Sequence, residues 1–133
     1  MTSINDNKEL VERFTSLFAQ SDIEAVLGMM TDDATWWVNG KAHLNPGSGT
    51  KTKSDMARIL RNLYGQLAGG LGMDVTGMVA EGDKVAAELR SHATTTTGKI
   101  YENDYHMLFT VRDGKIAKVR EYTDHMHANE IFG

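Results

Sequence analysis

Apolar positions recur with a helical period at the front of the chain. Leu10, Val11, Phe14, Leu17 and Phe18 form one stripe at i, i+1, i+4, i+7 and i+8, and Asp6 with Glu9 has capping-box spacing to open that helix. Ser21 with Glu24 repeats the spacing ahead of Ile23, Val26, Leu27 and Met30, which predicts a second, shorter helix. Thr31–Thr35 reads as a polar turn and Trp36–Asn39 as a short strand. Gly40–Thr52 holds Pro46, Gly47 and Gly49 with no period, so it reads as a loop. From about Ser54 a third stripe, Met56, Ile59, Leu60, Leu63 and Leu67, runs to a stop at Gly69-Gly70.

Past Met73 the pattern becomes strands separated by turn signals. Met73–Ala80, Lys84–Thr95, Ile100–Val111 and Ile116–Asp124 are punctuated by Glu81-Gly82-Asp83, Thr97-Gly98 and Arg112-Asp113-Gly114-Lys115. Asp-Gly between β-rich runs is a strong hairpin signal. A short helix over His125–Phe132 closes the chain. Helices first and strands after predict one α+β domain over residues 1–133, with helices packed on one face of a curved, cone-shaped antiparallel sheet. Helices cannot fill such a concave face, which leaves a mostly apolar pocket with a few convergent polar groups.

Composition narrows the chemistry. The chain has 133 residues, 41% hydrophobic and 24% charged, as in an ordinary globular domain. Its 14 Lys and Arg against 18 Asp and Glu give a net charge of −4 with no basic block, which argues against nucleic acid or an anionic membrane as partner. The absence of cysteine excludes disulfides, zinc–thiolate sites and thiol nucleophiles. No apolar run approaches the ~18 residues of a membrane span and no export leader is visible, so a cytoplasmic protein is expected.

Strand parity nominates the inward groups. On Ile100–Val111 the odd positions Tyr101, Asn103, Tyr105, Met107, Phe109 and Val111 form the apolar face. If the Asp-Gly turn carries a one-residue bulge, odd positions of the last strand pair with these, and Glu121 sits beside Met107 on the inner face with Thr123 next in line. Without the bulge Glu121 is a surface residue. Among apolar neighbours its charged form would be disfavoured, its pKa would rise, and it could exchange protons near neutrality. On Lys84–Thr95, parity sends Arg90 and His92 outward; the pair would suit proton transfer only where a bend brought it to the cavity mouth. Trp36 and Trp37 alternate faces, so one lies inside. His125-x-His127 has metal-ligand spacing but lacks a convincing third ligand, so no metal is expected.

The residues Ser21-Asp22-Ile23-Glu24-Ala25 followed by Thr31-Asp32-Asp33-Ala34-Thr35 resemble the front half of ketosteroid isomerases. Val111-Arg112-Asp113-Gly114-Lys115-Ile116, with Val119-Arg120-Glu121-Tyr122-Thr123-Asp124, resembles SnoaL-like polyketide cyclases and limonene-epoxide hydrolases. All belong to the nuclear transport factor 2-like superfamily, and the resemblance spans nearly the whole chain. It implies the fold more firmly than an activity, since this superfold hosts enzymes and non-enzymes. By that resemblance the isomerase's tyrosine falls at Phe14 and its aspartate base at Val38, so steroid isomerisation by that route is not expected. The hydrolase's arginine falls at Arg90, its two aspartates at His92 and Glu121, and its water-holding tyrosine and asparagine near Trp37 and Asn39. The cyclase's catalytic aspartate falls at Glu121. The resemblance thus implies that Arg90 and His92 face the pocket, against parity.

The resulting expectation is a cofactor-free acid/base enzyme for a small, apolar, oxygenated molecule. Glu121 would be the general acid/base, assisted by His92 and Arg90, with Trp37, Asn39, Asn103, Tyr105, Met107 and Thr123 shaping the cavity. The alternative is a non-catalytic binder of an apolar ligand, or an accessory subunit. Ile100, Leu108 and Tyr122 among charges on the outer sheet face predict a homodimer.

Overall fold

A computed structural model describes residues 3–133. Helix α1 spans Ile4–Ser16, and its N-cap is Ser3 rather than Asp6: the Ser3 hydroxyl accepts from the Asp6 N–H at 3.0 Å while the Asp6 carboxylate accepts from the Ser3 N–H. A 3₁₀ turn at Leu17–Gln20 ends with Ser21 in the left-handed region, and Asp22, not Ser21, caps α2 (Ile23–Gly28). Helix α3 covers Lys53–Gly65 with a second capping box between Thr52 and Asp55. Several Ser, Thr and Asp residues compete for each cap, and backbone geometry selects among them.

The strands are β1 (Met30–Val38), β2 (Gly49–Thr52), β3 (Gly72–Glu81), β4 (Lys84–Thr94), β5 (Ile100–Tyr101), β6 (Asp104–Arg112) and β7 (Lys115–Thr123). They run in the order β2-β1-β7-β6-β4-β3, with β5 pairing β4, and α4 (His125–Phe132) closes the chain. The sheet is strongly curled and mixed: β1 and β7 pair in parallel, and the other pairs are antiparallel.

Two expected elements differ. Thr31–Thr35 is not a turn but the front half of β1, which leaves its regular register with β7 between Met30 and Thr35. Its acids need no turn, because Asp32 meets Lys53 at 3.6 Å and Asp33 binds Arg112, which holds the Asp33 carboxyl below its usual range, while Thr31 and Ala34 are buried. The end of Gly40–Thr52 is strand β2, recruited onto the edge of β1.

The core lies between the concave face and the helices, where α1 packs on β3 and β4 and α3 on β1 and β2. Phe14 is fully buried, with Phe18, Trp36 and Phe109 around its ring at 5.5–6.2 Å. Burying an aromatic side chain of this kind contributes about 2–3 kcal/mol.

Candidate functional site

Helices and curled sheet enclose a cavity of about 640 Å³ that opens to solvent. Its wall is mainly apolar, including Phe14, Phe18, Trp36, Met56, Leu60 and Met107. Polar side chains such as Gln66, Tyr105 and Asn129 also reach the lining, and an acid among them is chemically conspicuous.

Glu121 is such an acid, and a single backbone irregularity puts it there. The β6–β7 hairpin closes with Arg112 opposite Lys115 around Asp113 and Gly114, both at positive φ, the geometry of a two-residue primed turn. That register alone would pair odd residues of β6 with even residues of β7 and turn Glu121 outward. Between Val111↔Ile116 and Thr110↔Lys118, however, β7 carries one extra residue, Ala117. This bulge restores odd-with-odd pairing, Phe109 with Val119 and Met107 with Glu121. The bulge therefore sits inside β7, two residues beyond the turn.

Half-buried on the cavity wall, the Glu121 carboxylate accepts a hydrogen bond from the Trp36 indole N–H at 2.9 Å. Burial pushes its pKa from 4.5 up to about 7; the indole bond pulls the other way and loses. Beside it lie two phenols. Tyr101 and Tyr105 are hydrogen-bonded through their hydroxyls, and the Asn103 amide donates to Tyr101 at 3.0 Å. Burial raises both phenol pKa values, that of Tyr105 far up, with the Glu121 charge adding to each. Both phenols therefore remain protonated at neutral pH, and one of their two hydroxyl protons is taken by the bond between them.

A second polar cluster lies where α4 meets β1. His125 Nε2 is 2.6 Å from the Asn39 carbonyl oxygen, which can only accept, so Nε2 carries the proton and Nδ1 faces the Asn45 amide at 3.3 Å. Ser48 donates to the same carbonyl at 2.7 Å. Asp124 caps α4 through the Met126 and His127 N–H groups, which aims His125 back at β1.

Of the residues singled out in the sequence, Glu121, Tyr105, Met107 and Thr123 line the cavity. Arg90 and His92 do not. Side chains on β4 alternate strictly, with Leu89 and Ser91 buried, so these two project from the outer face. There Arg90 pairs with Asp104 at 3.1 Å and His92 with Asp74 at 3.3 Å, both side chains more than half exposed. The bend that would have turned them inward is absent from this stretch: β4 keeps an unbroken register with β6 from Lys84 to Arg90.

Trp37 also lies outside, its ring under the Arg120 guanidinium at 3.9 Å and against Tyr122. The inward tryptophan is Trp36, 3% exposed. Asn39 and Asn103 act behind the wall. Asn39 accepts from the Thr123 N–H and donates its own backbone N–H to the Glu121 carbonyl, while buried Asn103 fixes Tyr101 and the Asp124 carbonyl. Tyr101, Trp36, His125 and Lys51 line the cavity without having been singled out for it. The odd-face pattern already contained Tyr101, and the Trp pair contained Trp36. Nothing local marks Lys51, and the His125-x-His127 spacing raised a metal site rather than the cavity.

Among the described residues no cluster of three His, Asp or Glu could hold a metal, and His125 and His127 point to separate partners. No described helix is long and apolar enough to cross a membrane.

The family model described as a SnoaL-like domain matches residues 11–119. No match was found among curated proteins. Among solved structures, PrhC from Penicillium brasilianum is 16% identical with a TM-score of 0.86, covering 98% of this chain and 87% of its own. A candidate polyketide cyclase from Xanthomonas campestris pv. campestris is 19% identical, with a TM-score of 0.81 and coverage of 99% and 100%. BvnE pinacolase from Penicillium brevicompactum is 19% identical, with a TM-score of 0.79 and coverage of 95% and 91%. At these identities the likeness is one of fold.

Proposed function

The chain belongs to the SnoaL-like domain family, and from that footing we propose that it is an acid/base enzyme acting on a small, apolar, oxygenated molecule held in the cavity. The observation that carries this reading is Glu121: a lone carboxylate in an apolar wall, with a pKa near 7, is populated both as base and as acid at neutral pH. The chemistry it fits best is proton abstraction from a carbon next to a carbonyl, as in cyclisation or isomerisation. The Glu121 carboxylate takes the C–H proton, and negative charge moves to the carbonyl oxygen. If Tyr101, which accepts from Asn103, donates to Tyr105, the Tyr105 O–H is left to stabilise that oxygen. Glu121, now protonated, returns the proton elsewhere on the molecule. The residues of the site suffice for these steps without a cofactor. Arg90 and His92 have no part in them.

An apolar wall equally favours a carrier that shelters a ligand unchanged, and pH separates the two readings. A carbon acid such as 5-nitrobenzisoxazole, which opens on deprotonation, reports a general base without the natural substrate. Wild-type protein should accelerate its opening with a rate that rises through about pH 7, and Glu121→Gln should lose about 100-fold of it. Equal rates for the two folded proteins would leave only the carrier. On the outer face, exposed Tyr122 packed against Trp37, together with Leu108 on β6 and exposed Ile100 on β5, supports pairing with a second copy of the chain.

A further inference from the structure

We propose that Lys51 is the recognition point for an anionic oxygen of the ligand, so that the cavity takes apolar molecules carrying a carboxylate or a comparably acidic group. The proposal deepens the reading of the cavity as a ligand site and rests on it. Lys51 lies opposite Trp36 in the β1–β2 pairing and therefore shares the inner face, while Thr50 and Thr52 on either side are outward. It is half-buried and lines the cavity, where, among the described residues, Glu121 is the one acidic side chain of the lining.

In a protein with more acids than bases, such a cation would be expected to have a carboxylate beside it. Lys53, two residues on, has one in Asp32. Among the described residues Lys51 has no ion pair, and its one polar contact is the Ser48 carbonyl at 3.1 Å. Ser48 is itself buried and fixed by Asn39 and Asn45, so the ammonium is tethered by one donor with two left free. A half-buried ammonium without a counter-ion gains most from an anion brought to it.

Position adds orientation. Strand β2 lies two strand spacings from β7, and Lys51 is level with Val119, two residues short of Glu121, so Lys51 and Glu121 are roughly 12 Å apart at the backbone. With both side chains reaching inward, a body of two fused rings spans what remains. Attraction at Lys51 and repulsion by ionised Glu121 would both direct the anionic end to Lys51 and the remainder toward the carboxylate.

The test is binding of 2-naphthoate and its uncharged amide, followed by tryptophan fluorescence at about pH 6, where Glu121 is mostly protonated. Wild-type protein should hold the carboxylate roughly tenfold tighter than the amide. Lys51→Met should abolish that preference while leaving amide affinity unchanged, Lys51→Arg should retain it, and Glu121→Gln should keep it at every pH. Equal affinities in the wild type, or a preference that survives Lys51→Met, would overturn the role of Lys51 alone. Failure of both probes to bind would overturn the ligand site itself.

Discussion

Replacing Glu121 with glutamine should stabilise the protein at alkaline pH while having little effect in acid. Its carboxyl moves from 4.5 in the unfolded chain to about 7 in the fold, so ionising it in place costs about 3 kcal/mol relative to ionising it in water. Below about pH 4.5 both states hold the proton and nothing is lost. Between there and about pH 7 the native state keeps a proton that the unfolded chain has released, so stability declines as pH rises. Above about pH 7 the full cost is present. Glutamine carries no such proton and can still accept from the Trp36 indole through its amide oxygen. The stability difference between variant and wild type should therefore grow to about 3 kcal/mol by pH 8, or about 10 °C in Tm for a chain of this length. Urea unfolding followed by tryptophan fluorescence, at fixed ionic strength from pH 5 to 8.5, measures it. Comparing the two proteins at each pH cancels every other titrating group. An offset that stays constant across that range would refute the claim that the carboxyl is desolvated.

Two further outcomes follow from where the side chains lie. Arg90→Ala and His92→Ala should leave 5-nitrobenzisoxazole turnover unchanged and shift stability by at most about 0.5 kcal/mol each, since Arg90 engages in an exposed ion pair and His92 in an exposed contact with Asp74; a large loss of rate in either would return the outer face of β4 to the site. Sedimentation should give a dimer at micromolar concentration that Tyr122→Glu dissociates, and a monomeric wild type would contradict pairing through that face.

The parts of the molecule that could be read in advance are those whose signal is local. The stripes of α1 and α3 repeat every turn, and the Asp113-Gly114 turn is written in two adjacent residues. The front of β1 could not be read that way, because Thr31-Asp32-Asp33 has turn composition. Its strand geometry depends on partners far away in sequence, with β7 pairing its backbone and Lys53 and Arg112 taking its acids. Family resemblance led astray at Arg90 and His92, where alternation along β4 gave the better guide, because a regular strand cannot present neighbouring odd and even residues to one side.

The amino-acid order by itself determined an α+β domain of helices on a curled sheet, the inward set on β6, and a carboxylate whose facing hinged on one residue. Tertiary structure decided that facing. The extra residue in β7 at Ala117, flanked by buried Ile116 and wedged between β6 and β1, shifts the register by one and turns Glu121 from solvent to cavity. It also decided that Lys51 and His125 meet the same hollow, since strand pairing and helix docking join segments more than seventy residues apart. Periodicity encodes which face of an element is apolar. Which polar groups converge depends on register between distant segments, and short-range patterns carry no record of it.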